Sequence, residues 1–126
     1  MFKAFAMIKR KPGTSLDHLK QYYEANHVPL AIKSTPGLKR YIRRYLHTYE
    51  TDAWRSGNEP PFDVITEIWF ENRAAFDAGM AYLQSDRVAE AIAEDEEKVF
   101  DRQSIIFVTV DDHETDPAVL TAAWPA

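Results

Sequence analysis

His27 is the residue in this sequence whose type and position best suit acid–base chemistry. It follows Tyr23 by four residues and Leu19 by eight, and these spacings place the three side chains on one face of a helix. Pro29 removes a backbone donor, so we expect the helix to end near residues 26–28. An imidazole titrates near neutral pH and can both accept and donate a proton. His27 is therefore the first candidate for a general acid or base, and the alternative is a structural histidine that caps the helix end.

Two carboxylates lie four residues apart in a later segment that alternates like a strand. Asp63 and Glu67 therefore share one strand face, with their Cα atoms about 13 Å apart, which is too far for one shared proton. We expect each to act separately, either as a catalytic residue that assists His27 or as one half of an ion pair across the sheet. Burial beside Trp69 would raise the pKa of Glu67 and suit it to proton transfer.

A group of aromatic and basic side chains could line a pocket and bind a phenol or carbonyl oxygen. The predicted substrate-binding residues are Tyr23, Tyr41, Arg43, Tyr45, His47 and Trp69. The tyrosines and the histidine offer hydrogen bonds, Trp69 offers an apolar wall for a ring, and Arg43 could attract an anion. The alternative for an aromatic stripe is packing alone, and this is the default for Tyr41. The acidic run at residues 94–97 is predicted to be the solvated side of a helix.

Composition places the chain among single-domain globular proteins and excludes several kinds of site. The chain has 126 residues, and its 45% apolar and 28% charged residues are ordinary for one domain. The absence of cysteine excludes disulfides and thiolate zinc sites, and a cytoplasmic location is expected. The four histidines are too widely spaced for a metal site, and no glycine-rich phosphate loop is present. The net charge of −5 argues against a nucleic-acid partner, and no apolar run has the ~20 residues of a membrane span.

Hydrophobic periodicity and turn residues predict the element order βαββαβ. The predicted strands span residues 2–9, 38–49, 62–70 and 103–110, and the predicted helices span about 15–28, 72–83 and 85–98, with a loop at 51–61. This order indicates an α+β, ferredoxin-like fold, in which a four-stranded antiparallel sheet carries the helices on one face. We expect residues 1–111 to form this domain and residues 112–126 to form a C-terminal tail or arm that could pack on a partner.

The sheet face without helices needs a cover of its own. Alternation in the third strand puts Asp63, Glu67 and Trp69 on that face, and we expect the tyrosines of the second strand to join them. A face of this mixed character suits a pocket closed by a second copy of the sheet. The sequence therefore predicts a homodimer, with His27 at the entrance to the enclosed chamber.

Several stretches of the chain together resemble one known family. They are residues 8–13, 27–30, 36–41, 63–70 and 85–86. In their order and spacing the chain resembles the EthD-type proteins of the dimeric α+β barrel superfamily, and it is similar to the methylmuconolactone methyl-isomerases at residues 67–70 and 85–87. The resemblance implies a ferredoxin-like protomer, a barrel formed by two sheets, and a functional position for His27 at the barrel mouth. Relatives include cofactor-free isomerases, polyketide cyclases, dehydratases, decarboxylases, monooxygenases and haem-binding proteins.

The favoured function is a cofactor-independent isomerase, cyclase, dehydratase or other lyase. It would act on a small cyclic or aromatic carbonyl compound, with His27 moving the proton and Tyr45 and His47 binding oxygen. The alternatives are a haem or small-ligand binding protein with His27 or His47 as axial ligand, a cofactor-free monooxygenase, and a non-catalytic dimer module. We expect no cofactor, a small-molecule substrate, and no nucleic-acid or membrane partner.

Overall fold

The computed structural model describes residues 1–49 and 59–126 of the chain. The strands are β1 Phe2–Arg10, β2 Arg40–Tyr45, β3 Val64–Phe70 and β4 Phe100–Thr109. The helices are α1 Leu16–Tyr22, α2 Val28–Ser34, α3 Arg73–Leu83, α4 Asp86–Glu96 and α5 Pro117–Ala123, with a π-helical turn, Tyr23–His27, between α1 and α2. The strands pair antiparallel in the order β2-β3-β1-β4. The predicted α+β, ferredoxin-like fold is confirmed, and most of the predicted loop at 51–61 lies outside the described residues.

The core lies between the helices and one face of the sheet. Its larger buried cluster consists of Ile8, Leu19, Tyr23, Val64, Val99 and Phe100. A second cluster, towards the other end of the strands, consists of Ala4, Phe70 and Phe76. Both clusters draw on β1 and β3, the two central strands, so the burial of apolar side chains fixes the helices over the middle of the sheet.

The first helix runs on past its predicted end. Ser15 caps α1, because its Oγ accepts a hydrogen bond from the backbone N–H of His18 at 3.1 Å. The prediction that the helix ends before Pro29 is wrong, since the N–H of Val28 donates to the carbonyl of Tyr23 in the π register and α2 follows at once. Pro29 falls in the first turn of α2, where a missing backbone donor is tolerated. One wide turn thus carries the helix through the proline.

The strand register decides which side chains lie under the helices. The cross-strand pairs between β2 and β3 include Tyr41 with Ile68, Arg43 with Thr66, and Tyr45 with Val64. Thr66 and Val64 are buried on the helix-covered face, and directly opposite residues point to the same side. The prediction that the tyrosines of β2 and Arg43 share the helix-free face with Glu67 and Trp69 is therefore wrong. Alternation orders the side chains within one strand, but it does not say which set of β2 faces which set of β3.

The strand ends and the tail also differ from the prediction. β2 is shorter than the predicted 38–49, and β4 begins earlier than residue 103. A register shift between Met7 and Lys9 lets the last residues of β1 pair with the start of β4. The C-terminal tail contains the short helix α5. Within the described residues, none of the helices has the length and apolar character required to span a bilayer.

Candidate functional site

A buried histidine–carboxylate pair joins the first helical segment to α4. His27 is only 7% exposed, and its Nδ1 lies 2.8 Å from Oδ2 of Asp95. The hydroxyl of Tyr22 donates to the other oxygen of Asp95 at 2.6 Å. Burial and the bond to Asp95 raise the pKa of Tyr22, so this phenol stays protonated and remains a donor at neutral pH. The carboxylate is therefore held from two sides.

This hydrogen-bond pattern determines what the imidazole can do. Carboxylate oxygens only accept hydrogen bonds, so Nδ1 of His27 carries the proton that points at Asp95. In the neutral ring Nε2 is then left with a lone pair. Every fully buried side-chain nitrogen or oxygen of the described residues has a hydrogen-bond partner. Nε2 of His27, in contrast, has no hydrogen-bond partner among the described residues. Nε2 is therefore not fully buried, and its lone pair can accept a proton and return it.

The π-helical turn sets the position of the His27 ring. Tyr23 and His27 are its first and last residues, and their rings meet edge to face with centroids 5.2 Å apart. The ring of Phe100 lies at the same distance on another side. Both aromatic neighbours belong to the core on the helix-covered side of the sheet. The prediction that His27 stands at the entrance to a chamber on the helix-free face is therefore wrong, and any chemistry of His27 takes place on the opposite side.

A hydrogen-bonded group of hydroxyls lies next to the histidine. Oη of Tyr23 and Oγ1 of Thr66 are 2.6 Å apart, and the hydroxyl of Tyr41 donates to Oη of Tyr23 at 3.2 Å. Burial raises the pKa of both tyrosines, so both phenols are protonated at neutral pH. The structure thus brings Tyr23 and Tyr41 together, as predicted for a common site, but it does so under the helices.

Arg43 and Tyr45 converge on Glu24 at the edge of this group. Arg43 binds both oxygens of Glu24 in a bidentate pair, with Nη2 at 2.6 Å and Nε at 2.9 Å, and Tyr45 donates to the same carboxylate at 2.5 Å. The hydrogen bonds from Arg43 outweigh burial and lower the pKa of Glu24. Burial and the bond to Glu24 raise the pKa of Tyr45. Arg43 and Tyr45 are already paired, so a substrate oxygen would have to replace Glu24 to bind them.

Glu67 lies on the helix-free face, away from His27. It is buried, accepts from Nη1 of Arg44 at 2.5 Å and also accepts from the indole N–H of Trp69. Burial alone would raise the pKa of Glu67, but the hydrogen bonds from Trp69 and Arg44 outweigh it and lower the pKa. The predicted upward shift is wrong because the carboxylate has two strong donors. The ring of Trp69 is itself flanked by Lys3 at 4.4 Å and Arg40 at 4.6 Å.

Asp63 and His47 lie at a third place, beside the ends of β1 and β2. Oδ2 of Asp63 accepts from the backbone N–H of Arg10 at 2.7 Å, and its carboxylate is 3.6 Å from the cationic groups of Lys9 and Arg10. Asp63 and His47 line an open cavity of about 400 Å³ together with Leu16 and other residues. The structure therefore separates Asp63, Glu67 and His27 into three locations. A substrate-binding role for His47 stays a prediction.

Asp95, Tyr22 and Glu24 are site residues that the sequence interpretation missed. The prediction that the acidic run at residues 94–97 is solvated is wrong for Asp95, which is buried. One signal was available: Asp95 follows Val88 by seven residues and Ile92 by three, so it shares their helix face. Burial also raises the pKa of the next residue, Glu96, against the opposing effect of His27.

Comparison with known families adds an independent result. The EthD domain family model matches residues 11–103, a stretch that includes His27 and Asp95 and excludes the C-terminal arm. No curated protein sequence matches the chain significantly.

Solved structures resemble the chain in fold at low sequence identity. An EthD family protein from Bacillus halodurans shares 15% identity, with a TM-score of 0.59 over 90% of this chain and 100% of that one. The protein At3g17210 from Arabidopsis thaliana shares 16% identity, with a TM-score of 0.59 over 92% and 99% of the two chains. A dimeric ferredoxin-like protein of unknown function from Thermobifida fusca shares 14% identity, with a TM-score of 0.54 over 88% and 90%. These likenesses establish the fold.

Proposed function

We propose that this chain, which belongs to the EthD family, is a cofactor-independent enzyme that transfers protons on a small carbonyl compound. The proposed reaction is an isomerisation, cyclisation, dehydration or related lyase step on a cyclic or aromatic substrate. The observation that carries the proposal is the His27–Asp95 pair, with Nδ1 held at 2.8 Å and Nε2 left to accept a proton. A general base of this kind typically contributes a factor of about 10²–10⁴ to the rate.

Each residue of the pair has a distinct role in this proposal. Nε2 of His27 removes a proton from carbon or oxygen of the substrate and returns it at a second position. Asp95 touches no substrate; it orients the ring and stabilises the imidazolium that forms, so it is a positioning residue. Tyr22 holds the second oxygen of Asp95 and keeps the carboxylate turned towards the ring. Tyr23 forms one wall of the site through its edge-to-face contact with His27.

The test is enzyme-dependent exchange of carbon-bound hydrogen for deuterium, followed by NMR in D₂O. The probes are cyclohexanone, 1-tetralone and an unsaturated γ-lactone, each with acidic hydrogens next to a carbonyl group. We expect His27→Gln to lower the exchange rate by a factor of about 10²–10⁴. Asp95→Asn should also lower it, because the carboxylate that keeps the proton on Nδ1 and leaves Nε2 free to act as the base is lost.

The control variant is His18→Gln, because His18 is an exposed histidine of the same helix. It should exchange deuterium at the wild-type rate. Circular dichroism establishes that each variant is folded. A folded His27→Gln protein with full exchange activity would refute the catalytic role, and a wild-type protein inactive on every probe would argue against this class of reaction.

We also propose that the chain forms a homodimer through the helix-free face of its sheet. The related protein from Thermobifida fusca is described as dimeric. In this chain the helix-free face carries apolar side chains that are only partly covered, and Ile106 is 46% exposed. A second copy would remove this surface from water with closed symmetry. The lack of cysteine supports a cytoplasmic location for the dimer.

A further inference from the structure

We propose that the C-terminal arm, residues 111–126, is a clasp that packs α5 on the second copy of the chain. The proposal rests on the homodimer proposed above and adds a segment that the EthD match at residues 11–103 does not include. It assigns a partner to Trp124, the most exposed large apolar side chain among the described residues, and to the exposed Val119 and Leu120.

The root of the arm is fixed to the helix-free face of its own sheet. Nζ of Lys3, on β1, lies 2.6 Å from Oδ2 of Asp112. A cavity of about 480 Å³ separates the arm from the sheet and is lined on the sheet side by Lys3, Phe5 and Glu67. Leu120 of α5 contributes to the arm side of the same cavity. The arm therefore leaves β4 and turns across the face that the second copy is proposed to cover.

The helix at the end of the arm leaves most of the surface of its large apolar side chains exposed. Val119 and Leu120 are each 58% exposed, and Trp124, just after the helix, is 88% exposed. α5 has only seven residues, and isolated helices shorter than about 12–15 residues are marginal in water. The cap from Oδ1 of Asp116 to the N–H of Ala118 at 2.9 Å fixes its start but buries no apolar surface. A helix of this length and composition needs an apolar surface to pack against.

The surface on which α5 packs is assigned to a second copy of the chain, on the basis of the charges of the arm and of the helix-free face and of the apolar residues that lead from that face to the arm. The arm carries the acidic residues Asp111, Asp112, Glu114 and Asp116. The helix-free face carries the cations Lys3, Arg40 and Arg44, of which Lys3 pairs with Asp112 of its own arm, Arg44 pairs with Glu67, and Arg40 lies over the ring of Trp69. Ile106 of that face is 46% exposed, and Val110, the residue before the arm, is 39% exposed. In a two-fold dimer each arm would contact the other protomer in the same way, so both helices would be buried by one symmetric contact.

The test is sedimentation velocity over a dilution series. It compares the full chain, a chain ending at Val110, and a Leu120→Ser/Trp124→Ser double variant. We expect both altered chains to dissociate at concentrations at least tenfold higher than the full chain. His113→Gln, a polar change in the same arm, is the matched control and should dimerise like the full chain. The part of the tryptophan fluorescence that the full chain has and the double variant lacks comes from Trp124, and its quenching by acrylamide should fall as the full chain associates.

The outcomes separate the clasp from the dimer. Equal dimer strength with and without the arm would overturn the clasp and leave the proposed homodimer in place. A full chain that stays monomeric at every concentration would overturn both. Weakened association in the truncated chain alone, with the double variant unaffected, would also contradict the clasp, because it would remove the role of α5 and Trp124.

Discussion

The pKa values of three glutamates in this protein shift in different directions, because burial and hydrogen-bond donors act on each of them to a different extent. Glu67 has the indole of Trp69 and the guanidinium of Arg44, and these donors lower its pKa in spite of burial. Two nitrogens of Arg43 and the hydroxyl of Tyr45 donate hydrogen bonds to Glu24, and they also lower its pKa. Glu96 has burial as the dominant effect, so its pKa is raised. The balance between burial and the hydrogen bonds from cationic and neutral donors therefore decides whether ionisation of each group stabilises the fold at neutral pH.

Glu67 gives a prediction about acid stability. Its pKa is lower in the folded chain than the ordinary value of 4.5, so the ionised group stabilises the fold above pH 4.5 and loses this effect as the pH falls through the folded pKa. We expect Glu67→Gln to cost about 1–3 kcal/mol of unfolding free energy at pH 7. The cost should shrink in acid, as measured by urea unfolding from pH 7 downwards.

Glu71→Gln is the matched control, since Glu71 is an exposed glutamate just after the same strand. It should change the unfolding free energy by less than about 0.5 kcal/mol. A cost for Glu67→Gln that stays constant from neutral to acidic pH would show that the carboxylate is not stabilised by its ionisation.

Close contacts between the helices and strands determine how they pack, and Gly79 in α3 is the clearest case. A Cβ at this position would lie 2.8 Å from the carbonyl oxygen of Pro36 and 2.9 Å from Cε1 of Phe70. These distances are shorter than real Cβ contacts, and a backbone oxygen cannot move aside cheaply. The absence of a side chain lets α3 approach β3 and the segment after α2.

Gly79→Ala should therefore destabilise the protein. Helix propensity alone predicts that Gly79→Ala raises the unfolding free energy by about 1 kcal/mol. A lower unfolding free energy would therefore show that the steric contact outweighs helix propensity. Ala78→Gly, at an exposed position of the same helix, is the reference and should cost about 0.5–1 kcal/mol. A Gly79→Ala protein that is more stable than wild type in urea unfolding would contradict the packing described here.

The sequence was sufficient for the element order and the antiparallel sheet. Periodicity and turn residues carry that information locally. It was not sufficient for the relation between strands, because the face on which Tyr41 lies depends on its pairing with β3. It also missed the partner of His27, since an acidic run looks solvated until the packing of α4 places Asp95 inside. The continuation of the helix past Pro29 depends on a π-helical turn, which hydrophobic periodicity and turn residues do not predict.

At the scale of the whole molecule, the proposed chemistry and the proposed assembly use opposite faces of one sheet. The His27–Asp95 pair lies under the helices and is built from a single chain. The arm, Lys3 and Glu67 lie on the helix-free face. Loss of the dimer should therefore leave the histidine site intact, and loss of His27 should leave the dimer intact.

The central claim, that His27 is held by Asp95 with Nε2 ready to take a proton, can be tested without a known substrate. Side-chain ¹⁵N NMR of the histidines at pH 8 reports which ring nitrogen carries the proton. We predict the Nδ1–H form for His27 in the wild-type protein and a change in that form in Asp95→Asn. A wild-type His27 in the Nε2–H form, or one unaffected by the loss of Asp95, would contradict the claim.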